Sequence, residues 1–264
     1  MKILFVGDIV GSPGRRIFKL VVKRLRAANE IHAVVANAEN AAAGSGITDA
    51  LAEELLGAGA DVLTLGDHVW NQKGTEALLA RERRIIRPAN YPEGCPGNGW
   101  TTVQTALGPI TVISLLGRVF LPPVDCPFVC VDALLKRIPA GGPVLVDFHA
   151  EATSEKIAMG WHLDGRVSAV LGSHTHVQTS DERLLPKGTA YLTDLGMTGP
   201  SHSVIGREVE PVMRKFLTGM PARFEVATGP AVLEGVILDV DRTSGRVASI
   251  VRIRQHDDGC QLVD

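Results

Sequence analysis

Lys2-Ile-Leu-Phe-Val-Gly-Asp8 decides the fold: four consecutive apolar residues, a glycine, and then a carboxylate. A run without polar alternation reads as a strand covered on both faces. The acid that follows it stands where open α/β sheets gather ligands, beyond the strand's C-terminal end. The pattern recurs. Ala33 to Ala36, Val62 to Leu65, Ile110 to Leu115, Val144 to Phe148 and Val167 to Leu171 are further apolar runs. Glu39, Asp67, His149, and the pair His174 and His176 stand just after four of them. If these strands share a layered sheet core, six groups with metal-ligand chemistry meet at one edge.

The helices expected between the strands are Pro13 to Asn29, Thr48 to Leu56 with Thr48 as its cap, Gly74 to Arg84, and Asp125 to Ile138. Ile17, Val21 and Leu25 share one face of the first, with Lys19, Lys23 and Arg26 toward water. Arg87 to Gly99, rich in proline and glycine, reads as a long loop of the sort that overhangs a site, and so does Thr193 to His202. Arg223 to Thr228, Val232 to Val240 and Val247 to Arg254 read as antiparallel strands. No repeat or linker interrupts the chain, so residues 1–264 are expected to form one domain, with an antiparallel C-terminal portion over about 220–254.

A chain of 264 residues, 45% hydrophobic, builds its own core. Its formal net charge of −2 and dispersed Lys and Arg give no basic stripe for sequence-independent nucleic-acid binding. Cys95, Cys126, Cys130 and Cys260 follow no C-x-x-C spacing, and reduced thiols in a cytoplasmic protein are expected. The first apolar run is too short for a secretory core or a membrane span.

Imidazole together with carboxylate suits borderline transition metals. Two ions about 3.5–4 Å apart would activate water and neutralise a phosphoryl group. The expected partition is Asp8, Glu39, Asn40 and His176 around one ion and Glu39, Asp67, His149 and His174 around the other, with Glu39 bridging. His68, beside Asp67, is the preferred general acid. Taken singly, each residue has a bland reading as a turn former or a hydrogen-bonded core histidine. Asp147 is a candidate support, Glu151 and Glu155 read as solvated helix residues, and Asn37 and Thr179 are candidates for orienting ligands. For Asn90, Gly196 and Thr198 the plain loop reading is preferred to substrate contact. Gly7, Gly11 and Gly14 form no G-x-G-x-x-G, no phosphate-binding P-loop occurs, and neither Ser154 nor Ser173 lies in G-x-S-x-G.

The segments GDIVGSPGR (7–15), ANAENAAAGSGIT (36–48), GDHVWN (66–71), RPANYP (87–92), DFHAEATSEK (147–156) and GSHTHVQTSD (172–181) resemble the YmdB-like branch of the calcineurin-like metallophosphoesterases. The resemblance implies a four-layer α/β/β/α sandwich with two central mixed sheets. It also implies the metal and proton-transfer roles just given, iron with manganese as the alternative, and a cytoplasmic enzyme that can form homo-oligomers. The implied reaction is hydrolysis of 2',3'-cyclic nucleotides to nucleoside 3'-phosphates by hydroxide held between the two metals. A promiscuous phosphomonoesterase or phosphodiesterase, and a noncatalytic, metal-stabilised RNA-binding regulator, are the alternatives. Val10 replaces the histidine that the wider superfamily often carries, which argues against transfer of protein-phosphatase activity.

Asp67 stands where the family usually has asparagine. Three carboxylates against two divalent ions leave one net positive charge, where an amide would leave two, so the site is expected to tolerate a trivalent ion beside a divalent one. Metal analysis and oxidation-state spectroscopy of anaerobically purified Asp67→Asn check this. An unchanged metal ratio and valence would sink it.

Overall fold

The computed structural model describes residues 1–139 and 141–257. Along the chain, β1 (Lys2–Val6) and β2 (Asp8–Ile9) lead into α1 (Gly11–Ala27), followed by β3 (Ala33–Asn37), α2 (Asp49–Gly57), β4 (Val62–Thr64), α3 (Thr75–Arg81) and β5 (Ile85–Ile86). Next come β6 (Trp100–Thr105), β7 (Gly108–Leu116), α4 (Pro127–Leu135), β8 (Val144–His149), α5 (Thr153–Leu163), β9 (Ala169–Ser173), β10 (Arg183–Leu184) and β11 (Ala190–Leu192). The last elements are β12 (Met197–Pro200), α6 (Val209–Thr218), β13 (Ala231–Val240) and β14 (Val247–His256).

Two mixed sheets result. The first runs β2-β12-β13-β1-β3-β4-β5, with β14 also on β13; the second runs β10-β11-β9-β8-β7-β6. Within the first, β1, β3, β4 and β5 are parallel while β13 is antiparallel to β1. Within the second, β7, β8, β9 and β11 are parallel.

The apolar runs are unbroken because each strand feeds two cores. Ile3 and Phe5 of β1, with Ala33 and Val35 of β3, pack into the core between the sheets. Leu4, Val6, Val34 and Ala36 point the other way, against Ile17, Val21 and Leu25 of α1. A third core joins Val146 and Phe148 of β8 to Val131 of α4 and Met159 and Leu163 of α5. Three cores separate four layers, so the α/β/β/α sandwich holds.

Several local expectations change. Thr48 sits at the N-cap of α2, but its side chain makes no capping bond. Residues 197–200, expected within an irregular loop, form β12 because they pair with both β2 and β13. Arg223 to Thr228 is not a strand: its only ladder contact among the described residues is an isolated bridge from Val226 to Arg207. The Arg87 to Gly99 loop closes on itself, its buried Arg87 guanidinium donating to the Pro88, Cys95 and Pro96 carbonyls. None of that loop lines the cleft described below. Cys95, Cys126 and Cys130 are free thiols, and Cys260 lies outside the described residues. Among those residues no helix is long and apolar enough to cross a membrane.

Candidate metal centre

The parallel strands of both sheets end on the same side, and the site is assembled there. Asp8 follows β1, Glu39 and Asn40 follow β3, Asp67 and His68 follow β4, His149 ends β8, and His174 and His176 follow β9. Two glycines allow the close approach. A Cβ on Gly7 would collide with the Gly196 carbonyl, and one on Gly66 with the Glu39 carboxylate and the His149 ring. Gly66→Ala is therefore expected to weaken cation binding by about ten- to hundredfold, the usual effect of disturbing what supports a ligand. Calorimetric titration with Mn²⁺ checks it, and wild-type affinity would refute the steric argument.

Glu39, Asp67, His149 and His174 place one ligand atom each within 4.8 Å of one another. His149 Nε2 lies 3.1 Å from Asp67 Oδ1 and 3.3 Å from Glu39 Oε1. His174 Nδ1 stands 3.0 Å from the same His149 nitrogen. On the other side of Glu39, His176 Nε2 is 3.8 Å from Asp8 Oδ1 and 3.1 Å from Asn40 Nδ2. All seven expected ligands thus come together. Asn40 is turned with its nitrogen toward Glu39 and its oxygen 2.9 Å from His68 Nδ1. Its expected role requires the amide rotated by half a turn, which exchanges oxygen and nitrogen with little change of shape.

The donor set fits cations. Asp8 is fully buried, yet its Oδ1 has no hydrogen-bond partner. Burial raises its pKa to about 6. Burial would also raise Glu39, but the charges and hydrogen bonds of His149 and His68 outweigh it and hold Glu39 well below the usual carboxylate range. Burial opposes a charge on His149, and the Glu39 and Asp67 carboxylates overcome it, raising that pKa well above normal. His174 is pressed down to about 4 by burial and by His149. Two imidazole nitrogens directed at each other among three carboxylates form a poor hydrogen-bond network and a good transition-metal cradle. His174 and His176 hold it with strained backbone, at φ of 102° and 62°.

Beneath the ligands lies a buried support. Asp147 accepts hydrogen bonds from Ser173 Oγ (2.6 Å), Thr64 Oγ1 and Asn37 Nδ2 (3.1 Å), while Ser173 Oγ is also 2.9 Å from His149 Nδ1. Such contacts fix ring orientation and tautomer. Asn37 and Asp147 therefore hold His149, whereas Thr179 bonds Asp181 and the Asp194 backbone. Asn90 is structural, tying Leu116 to Asp125. Glu155 is buried, not solvated, and accepts the Arg118 and Val119 amides. Glu151 lies 3.0 Å from His174 Nε2.

Sequence reasoning missed Asp194, whose carboxylate accepts the Thr175 amide (3.1 Å) between the two histidines and the Gly196 amide (2.9 Å), and is paired with Lys156 Nζ at 2.6 Å. Its signal was present, since Asp194 follows the apolar Ala190–Leu192 as Asp8 follows β1. His68 lies beside the cluster: its amide donates to Glu39 Oε2 (3.2 Å), its Nδ1 is 3.2 Å from Glu39 Oε1, and the Glu39 hydrogen bond raises its pKa.

A two-sheet sandwich with carboxylates and imidazoles converging at its strand ends defines a calcineurin-like phosphoesterase. More narrowly, the chain belongs to the family described as YmdB-like protein, whose model matches residues 4–253. It is 47% identical over 259 residues, 98% of each chain, to the 2',3'-cyclic-nucleotide 2'-phosphodiesterase of Bacillus subtilis. A crystal structure of a hypothetical protein from Thermus thermophilus superposes with a TM-score of 0.92 at 43% identity, covering 97% of this chain and 99% of that one. A phosphatase structure from Mycoplasma pneumoniae gives 0.91 at 35% identity, over 97% and 93%.

Proposed function

We propose that the protein hydrolyses 2',3'-cyclic nucleotides to nucleoside 3'-phosphates, working as a single catalytic domain. The observation that carries the reading is the cluster of Glu39, Asp67, His149 and His174, extended by Asp8 and His176, in a chain nearly half identical to a phosphodiesterase of that specificity. Asp8, Glu39, Asn40 and His176 would hold one cation, and Glu39, Asp67, His149 and His174 the second. Bound cations would supply positive charge to the phosphoryl group and activate water. Iron as the native ion, manganese as its substitute, a cytoplasmic location and self-association belong to the same proposal.

The chain's own residues then divide the work. Glu39 stands between the two ligand groups and keeps them at one spacing. Asn37, Ser173 and Asp147 hold the His149 ring. Asp194 holds the histidine loop. His68 engages Glu39 and Asn40 through Nδ1, which leaves Nε2 to give its proton to the departing 2'-oxygen as water adds to phosphorus and the P–O2' bond breaks. Chromatography of the products from 2',3'-cyclic AMP is expected to show adenosine 3'-phosphate. Predominant 2'-phosphate would overturn the assignment of the bond that breaks.

A further inference from the structure

The cleft that holds the ligand cluster encloses about 450 Å³, a size suited to a small organic molecule, and has two unlike sides. Glu39, Asn40, His68, His174 and His176 line one; Ile205, Val212, Phe216 and Phe224 line the other. We propose that the apolar side is a nucleobase subsite, with Phe216 the surface on which the base lies. The proposal rests on the cyclic-nucleotide reading above and adds to it how the non-reacting end of the substrate is held.

Four observations carry it. First, Phe216 is 79% exposed and Ile205 54% exposed, although both line the cleft. Second, Phe224 already has the Lys215 ammonium 5.1 Å over its ring, while Phe216 has no ring or cation partner among the described residues. Third, Ile205 keeps a φ of 46°, a strained conformation for a β-branched residue, while its carbonyl accepts from His176 Nδ1 at 2.9 Å. The apolar side is thereby bonded directly to the ligand cluster. Fourth, Arg207 donates to the Ala43, Gly44 and Phe224 carbonyls, and among the described residues no carboxylate pairs with it. This clamps the turn after β3, next to Glu39 and Asn40, against the entry to α6.

The occupant follows from this continuity. A phosphoester seated at the cluster must place its organic substituent against the other side of the same cleft. Ile205, Val212, Phe216 and Phe224 offer an open ring and aliphatic groups, which suits a flat heteroaromatic group, while Arg207, which also lines the cleft, is turned to backbone carbonyls. Stacking tolerates every base because every base has a π-face, so tight binding without strict base choice is expected, with purines favoured by their larger area.

Phe216→Ala tests the subsite, and its exposure means that the variant should fold. With both cations loaded, steady-state kinetics compare 2',3'-cyclic AMP with methyl riboside 2',3'-cyclic phosphate, which lacks a base. For the nucleotide, Phe216→Ala is expected to raise KM about ten- to hundredfold with little change in kcat. The baseless ester should be unaffected, and Phe216→Trp should restore the nucleotide KM. Hydrolysis of both esters at equal kcat/KM by the wild type, or equal loss on both in the variant, would overturn the subsite and leave the phosphodiesterase standing. So would a change of oligomeric state with no change in KM. Calorimetric binding of adenosine 3'-phosphate separates the two claims. Phe216-dependent binding without hydrolysis of either ester would uphold the subsite and remove the activity; absence of both would remove both.

Discussion

His68→Ala is expected to lower turnover of 2',3'-cyclic AMP by about a hundred- to ten-thousandfold, the usual contribution of a positioned general acid, while both cations stay bound. The reason is geometric. His68 reaches the cluster through its amide and Nδ1, with Nε2 3.9 Å from Asp67 Oδ2 and the ring at the cleft. In the cation-free protein its pKa is raised by the Glu39 hydrogen bond, burial opposing. A required acid loses activity as pH rises through its pKa, so the wild-type profile should fall on the alkaline side and the variant should lack that limb. On a nitrophenyl diester, whose leaving phenolate needs no proton, the loss should shrink. An equal loss on both substrates, or loss of metal from the variant, would make His68 a support for Asn40 instead.

Lys156→Met is expected to cost about 3–5 kcal/mol of stability, because it leaves a buried carboxylate without its counter-charge. Lys156 is 1% exposed and Asp194 fully buried, with their charged atoms 2.6 Å apart. At about 2–4 °C per kcal/mol for chains near this size, thermal denaturation should show a Tm lower by about 10 °C. Lys156→Met combined with Asp194→Asn should recover part of the loss, since the amide carries no charge and can still accept the Thr175 amide. A double variant no more stable than the single one would show that the unpaired charge is not the cause.

The strands that carry the candidate ligands were legible because burial on two faces leaves an unmistakable apolar run, with its polar successor at the strand end. Asp8, Glu39, Asp67, His149, His174 and His176 could be found on that ground alone. Other elements take their form from partners far along the chain. β12 contains Gly199 and Pro200 and becomes a strand only through β2 and β13. In α6, Val209, Val212, Met213, Phe216 and Leu217 recur at helical spacing, and the helix stops at Gly219 with φ of 69°. Pro211 masks the pattern, yet it lies in the first turn, where the missing N–H leaves no intrahelical bond broken. The cleft's apolar side, built from that helix and its flanks, was hidden for the same reason. The Arg87 to Gly99 loop drew the expectation instead, because composition reports irregularity and not location.

β13 lies between β12 and β1, and its Glu234 carbonyl accepts the amide of Gly7, one residue before Asp8. The amide before Asp8 therefore finds its partner only once residue 234 has been made, so Asp8 is fixed by a contact far along the chain. Nascent intermediates would carry Asp8 and the histidines on unjoined pieces, with little grip on passing ions. Cation uptake at the cluster would thereby wait for β13.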